Sequence, residues 1–313
     1  MNSVAILWPA AYNQVCEFLG ANWYALVASI GLAVLFIIHI IYACWLTVQN
    51  RKARGNDRYA VTSRPPQVEW SSKNMLVLGI VVVAFLLVHL IQFWSKMQLQ
   101  ELLHTGLEDL PSVDGAPAAP QFGTLFIQLA FQNIVTPIVY IIGFVALWFH
   151  MNHGFWSMFH TIGWDNNIWI NRFKKIACWW SSIVVGLFII QAVVFTVQAN
   201  NNYYTTAPEL QEQYGEFWAA KAQAAMDDFQ TAWQAKGEEV RGADQATMQQ
   251  AQVEFFMTKG VEFVNVANVI DSCSTKQCPN ASSQELAQIR QMKQQIQQTI
   301  QFAESIKNSP ENH

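Results

Sequence analysis

WYALVASIGLAVLFIIHIIYACWLTV, running from Trp23 to Val48, carries no permanently charged side chain. The uncharged stretch extends from Glu17 to Arg51, longer than the roughly 20 residues with which a helix crosses a hydrocarbon core of about 30 Å. A surface helix of a soluble domain would show a polar stripe; this segment shows none and reads as a membrane span, span A. Three further segments share the pattern. Span B, NMLVLGIVVVAFLLVHLIQFWS, lies between Lys73 and Lys96; span C, LFIQLAFQNIVTPIVYIIGFVALWFHM, starts at Leu125; span D, IACWWSSIVVGLFIIQAVVFTV, follows Lys175 and ends near Val197. Pro137 within span C is expected to bend that helix.

Working outward from the spans, the 313 residues are 52% hydrophobic and only 13% charged, which argues against an ordinary soluble enzyme. The charge is unevenly placed: residues 1–198 hold 10 Lys+Arg and 8 Asp+Glu, whereas residues 199–313 hold 8 and 14. The chain therefore divides into a membrane bundle, 1–198, and an acidic, Gln/Ala-rich extension, 199–313. In the extension Leu210, Tyr214, Phe217, Trp218, Met226, Phe229 and Trp233 recur at helical steps, as do Leu286, Ile289, Met292, Ile296, Ile300, Ala303 and Ile306. These predict amphipathic helices, so the fold class is all-α: a four-span transmembrane bundle with a polar α-helical C-terminal extension.

Orientation follows from the loops. The A–B loop carries Arg51, Lys52, Arg54, Arg58, Arg64 and Lys73, and the C–D loop carries Arg172, Lys174 and Lys175. The first 20 residues have no Lys or Arg, and the B–C loop has Glu101, Glu108, Asp109 and Asp114 with no basic residue after Lys96. The positive-inside rule puts the two basic loops in the cytoplasm and the extension outside. Trp23, Trp94, Trp148, Trp156, Trp179 and Trp180 are expected near span ends, at the interface. Met1–Gly20 lacks the basic and apolar regions of a cleaved signal peptide. In an extracytoplasmic segment, Cys273 and Cys278 are expected to form a short-loop disulfide, because a metal site would need more ligands.

Histidine is the chemical signal. His39 lies in span A, His89 in span B and His150 in span C, with His153 one turn beyond. A lone membrane histidine also serves as a hydrogen-bonded contact between helices, but ionisable groups are uncommon in a bilayer and His is a frequent axial ligand of haem. Depth separates the three. His39 stands nine residues before Val48, about 14 Å from the inner surface at 1.5 Å per residue, and His150 reaches a similar depth if span C continues to His160. His89 is sixteen residues beyond Lys73, about 24 Å from that surface. His39 and His150 can share one iron, whereas His89 is half of a second site. Gly79, nearly three turns before His89, and Gly154, four residues after His150, are placed to admit a porphyrin edge on the side of their histidines.

With these residues in hand, residues 8–198 resemble the cytochrome b membrane anchor of succinate:quinone oxidoreductases, the succinate dehydrogenase/fumarate reductase family, of the single-polypeptide, five-helix dihaem type. The resemblance is carried by HIIYACWLTVQNRKARG, WSSKNMLVLGIVVVAFLLVHLIQFW and FHMNHGFWSMFHTIGW. It implies that His39 and His150 ligate the haem b nearer the cytoplasm and His89 one side of an outer haem. His150, Gly154 and Gly163-Trp164 are similar to the family's His, Gly and Gly-Trp run, which favours His150 over His153. Family members begin with a further helix bearing the outer haem's second ligand; ILWPAAYNQVCEFLGANWYAL is similar to the connector after it, so an upstream helix is expected. Some members place a proton-carrying glutamate two residues before the fifth-helix ligand; here that position is Trp148, which gives that route no support.

The implied function is electron transfer, through one complete haem b site and half of a second, between an iron–sulfur subunit and menaquinone in a bacterial inner membrane. FAD and iron–sulfur clusters belong to partner subunits on the cytoplasmic side, since this chain has neither a flavin-binding glycine fingerprint nor a cluster-binding cysteine set. Lys73 and the A–B loop cations could meet haem propionates or dock the iron–sulfur subunit, and Glu17 could take a quinol proton; each also reads as an ordinary loop residue. Membrane lipid and quinone are the remaining partners, and no nucleic acid is expected. The rivals are a cytochrome b anchor of another quinone-linked oxidoreductase and a haem-free membrane scaffold.

Overall fold

In a computed structural model of the protein, residues 2–54, 69–164, 166, 168–281 and 283–307 are described; Arg58 and Arg64 of the A–B loop lie outside these. The described chain is almost wholly helical, and four helices are long and apolar enough to cross a membrane. It is a multi-pass membrane protein. The residues separate into two units, 1–101 with 120–201, and 102–119 with 202–313.

The first unit opens with α1 (Asn2–Leu7) and α2 (Pro9–Ala21), followed by span A as one continuous helix, α3 (Trp23–Arg54). Span B follows the short α4 (Trp70–Lys73) as α5 (Met75–His89), prolonged by a π-helical turn, Leu90–Trp94, and then by α6 (Gln98–Leu102). Where the sequence predicts span C from Leu125, the chain instead forms α7 (Gly123–Phe131), breaks at residues 132–134, and crosses as α8 (Val135–Thr161). The break has a local cause. Pro137 has no N–H to give the Asn133 carbonyl four residues back, while the Asn133 side-chain oxygen accepts the Val135 N–H at 2.9 Å. Pro137 is thus the third residue of a new helix, where it is tolerated, and not a bend in the middle of a span.

Span D is α9 (Trp169–Asn200), which packs along α8. Its buried face, Ala177, Ser181, Val185, Ala192 and Ala199, is mostly small, which lets two backbones approach where lipid provides no hydrophobic drive between helices. Trp148, expected at an interface, sits midway along α8 and donates to Ser182 Oγ of α9 at 3.0 Å. The N-terminal residues expected as a connector are helical and packed: Thr124 N and Oγ1 of α7 donate to the buried Asn13 Oδ1 of α2 at 3.1 and 2.9 Å.

The second unit contains α10 (Tyr203–Thr206), α11 (Pro208–Glu239), α12 (Gln245–Phe255), α13 (Val261–Gln277) and α14 (Gln284–Lys307). Helices α11, α13 and α14 pack on one another, and Leu210, Tyr214, Trp218, Ile270 and Ile289 are fully or almost fully buried between them. Helical periodicity marks α11 and α14 but not α13, whose 17 residues include Cys273. The B–C loop joins this unit. Its hairpin, β1 (Ser112–Val113) and β2 (Ala116–Pro117), turns at Asp114 and Gly115, both with positive φ (51° and 78°), the backbone that an Asp-Gly type I′ turn requires. Lys276 Nζ donates to the Gly115 carbonyl and Gln277 Nε2 to that of Pro117, each at 2.7 Å. Residues 102–119 therefore group with residues 202–313 in one unit.

Candidate functional site

Helices α3 and α8 bring two of the three membrane histidines together. The His39 and His150 rings lie with centroids 6.0 Å apart and planes at 81°. Metal–imidazole bonds of about 2.0 Å on opposite sides of one ion put ring centres roughly 6 Å apart, so the spacing fits a bis-histidine site. None of the described side chains of α3 is buried, and its packed neighbour is α2 rather than α5, α8 or α9. Across the remaining space this helix meets α8 through the histidine pair.

Three further features fit a flat group at this place. Gly79 of α5 faces the His150 ring: a Cβ there would lie 3.6 Å from His150 Cε1, and anything longer would enter the space beside it. Gly79, expected beside His89, lies instead at the His39–His150 site, because ten residues along a helix rotate it away from the His89 face. A Cβ on Gly154 would meet nothing within 4 Å, so that side of α8 is open. His150 Nδ1 is buried without a hydrogen-bond partner, an arrangement costing roughly 1–3 kcal/mol that a ligand would relieve.

Lys73 is exposed, and its ammonium makes no ion pair or hydrogen bond among the described residues; its backbone N–H donates to the Glu69 carbonyl at 3.3 Å. The cation that is engaged at this end is Lys174 of α9, 2.9 Å from Glu69 Oε1 and over the Trp156 ring at 4.3 Å. Glu69 Oε2 lies 3.5 Å from His153 Nδ1. Burial works against the Glu69 carboxylate, but Lys174 and then His153 outweigh it and hold its pKa below the ordinary value. Glu69 thus ties the start of α4 to the two other helices that end here, a role the positive-inside count of loop cations could not reveal.

His89 stands apart. Its neighbour on α8 is Tyr140, ten residues from His150, which is about 15 Å along a helix. His89 Nδ1 is 3.2 Å from the Tyr140 hydroxyl, Tyr140 donates to Gln92 Oε1 at 2.9 Å, and Gln92 Nε2 reaches Thr136 Oγ1 at 3.4 Å. The π turn that begins directly after His89 carries Gln92 and Phe93. His89 and Tyr140 sit on the wall of a cavity of about 290 Å³, six of whose fourteen lining residues are phenylalanine. Periodicity and charge do not single out Tyr140 and Gln92, although Tyr140 is the only tyrosine in spans B, C and D, and a polar group at that depth needs a partner.

Cys273 and Cys278, expected as a disulfide, are buried free thiols. Cys273 lies within α13, and its Sγ is 3.2 Å from the Pro117 carbonyl, which it meets as a donor. Burial pushes the Cys273 thiol up to about 12 and Cys278 to about 11, so both are protonated at neutral pH. No protein-family model, curated protein or solved structure matches the chain.

Proposed function

We propose that the chain is the membrane anchor of a succinate:quinone oxidoreductase, holding one haem b between His39 and His150 in a bacterial inner membrane. The single observation that carries this reading is the 6.0 Å approach of those two rings from helices that share little other contact. Gly79 keeps the adjoining space clear and Gly154 leaves the α8 face open. When bound, the haem supplies a one-electron relay between an iron–sulfur subunit and menaquinone. The chain's own work is to present two imidazoles from α3 and α8, to exclude water with apolar spans, and to tie the inner ends of α4, α8 and α9 together through Glu69, Lys174 and His153. The iron–sulfur and flavoprotein subunits dock at that end, on the cytoplasmic side, and carry the dicarboxylate chemistry. Residues 202–307 lie on the opposite side, outside the cytoplasm.

A reduced-minus-oxidised spectrum of the purified protein tests this. A b-type α-band is expected, and His39→Ala or His150→Ala should remove it. A protein without the band is a haem-free scaffold, and a band that survives both substitutions places the haem elsewhere.

A further inference from the structure

We propose that the groove between α8 and α9 holds one acyl chain of a membrane phospholipid whose anionic headgroup is bound by Arg172 and Lys175. The proposal requires the membrane spans and no haem.

The groove has a volume of about 260 Å³ and is lined by Val145 and Trp148 of α8 and by Ser182, Val185, Gly186 and Ile189 of α9. Seven residues carry the α9 set through two turns, so its members share one face of that helix. Trp148 Nε1 donates to Ser182 Oγ at 3.0 Å, which joins the two helices across the groove and engages the one hydroxyl in its wall. The rest of the lining is hydrocarbon or indole. Gly186 provides the depth: a Cβ there would meet nothing within 4 Å, so the space is open and not taken by another helix. The volume of about 260 Å³ corresponds to roughly nine groups of about 30 Å³, a run of methylenes from one acyl chain.

Charge selects the lipid. Lys175 precedes Ser182 by seven residues and Arg172 precedes Gly186 by fourteen. These separations are close to two and four whole turns, so both cations stand on the groove face of α9. Both are exposed, and neither forms an ion pair among the described residues; Arg172 lies over the Trp169 ring at 4.8 Å and keeps its charge uncompensated. Lys174, between them in sequence, points to another side and is held by Glu69. Trp179, four residues beyond Lys175 and exposed, suits the headgroup level, where indole rings settle. Ser182 then lies about 10 Å and Ile189 about 21 Å beyond Lys175 along the axis, the depth at which an acyl chain hangs below its headgroup. An apolar groove alone would accept any lipid. Two uncompensated cations at its end favour a headgroup with net negative charge over a zwitterionic one, whose own ammonium balances its phosphate.

The test uses the full-length protein released from detergent micelles in native mass spectrometry, supplemented with dioleoylphosphatidylglycerol or, at equal concentration, dioleoylphosphatidylcholine. One phosphatidylglycerol is expected to be retained about tenfold or more tightly than phosphatidylcholine, the factor that two cations near a charged headgroup give. Arg172→Gln combined with Lys175→Gln leaves the groove intact and should bring the two lipids to equal retention. Gly186→Leu fills the groove while both cations stay in place, and should weaken retention of both lipids severalfold. Equal retention of the two lipids by the unaltered protein would overturn the proposal. So would a preference that survives the double substitution, or phosphatidylglycerol held as tightly by Gly186→Leu as by the unaltered chain. A dimer that Gly186→Leu dissociates would overturn it as well, by making a second copy of the chain the occupant.

Discussion

Glu101, near the C-terminal end of α6, has a carboxylate oxygen buried without a partner, and a Cβ on Gly20 would overlap that carboxylate. Burial, and after it the negative charge of Glu17, raise its pKa above the ordinary 4.5. The folded protein therefore holds this proton more tightly than the unfolded chain does. Its contribution to stability is complete below 4.5 and is lost as pH rises through the raised folded-state value. Glu101→Gln keeps the shape and removes the charge, so it should raise the thermal midpoint above neutral pH and leave it unchanged in acid. Identical midpoints for the two proteins above neutral pH would show the carboxylate to be solvated. The residue's identity was visible in the B–C loop as one of four acids; its burial against Gly20 was not, because that depends on α2 folding back over the end of α6.

Among the elements, α13 shows what periodicity misses. Its polar Ser274 and Gln277 are as buried as its apolar Ile270, since Gln277 Oε1 accepts from Trp218 Nε1 at 2.9 Å and its Nε2 reaches the hairpin. A helix whose inner face carries satisfied polar groups has no clean apolar stripe to read. Asp271 ties α13 to α14 through Lys293 at 2.8 Å and through Arg290. Burial opposes its charge, but Lys293 and Arg290 together outweigh that and hold its pKa below the usual 3.8. The stability it contributes is present above 3.8 and disappears as pH falls through the lowered folded-state value. At neutral pH, Asp271→Asn should cost about 1 kcal/mol, the scale of partly exposed ion pairs, in chemical unfolding followed by the fluorescence of Trp218. The deficit should vanish in acid, and a deficit independent of pH would assign Asp271 a packing role instead.

For the molecule as a whole, the membership of residues 102–119 in the C-terminal unit constrains the topology. The hairpin and α13 share direct hydrogen bonds, so they lie on one face of the membrane, and an even number of crossings must separate them. Helices α8 and α9 are those two crossings. Single cysteines at the exposed positions Ser112 and Glu304 should react with a membrane-impermeant maleimide from the same face, and a cysteine at Lys52 from the other. Labelling of positions 112 and 304 from opposite faces would break the four-span topology.

Four crossings, a polar helical extension and the three membrane histidines were legible from composition and run length, because lipid imposes its demand residue by residue: a charge-free stretch of sufficient length spans wherever its neighbours lie. The two levels of histidine were legible as well, since rise per residue is a property of one helix. Rotation about the helix axis was not, because each residue turns a helix by about 100° and only a packed neighbour shows which way it faces. Thus Gly79 belongs to His150 and not to His89, and Trp148 meets Ser182 midway along α8 and not at a span end. By the same logic Cys273 donates to a carbonyl where a disulfide was expected, and a loop between two spans completes a core more than 150 residues further along the chain. These are choices among partners, and the chain makes them only when its helices come together.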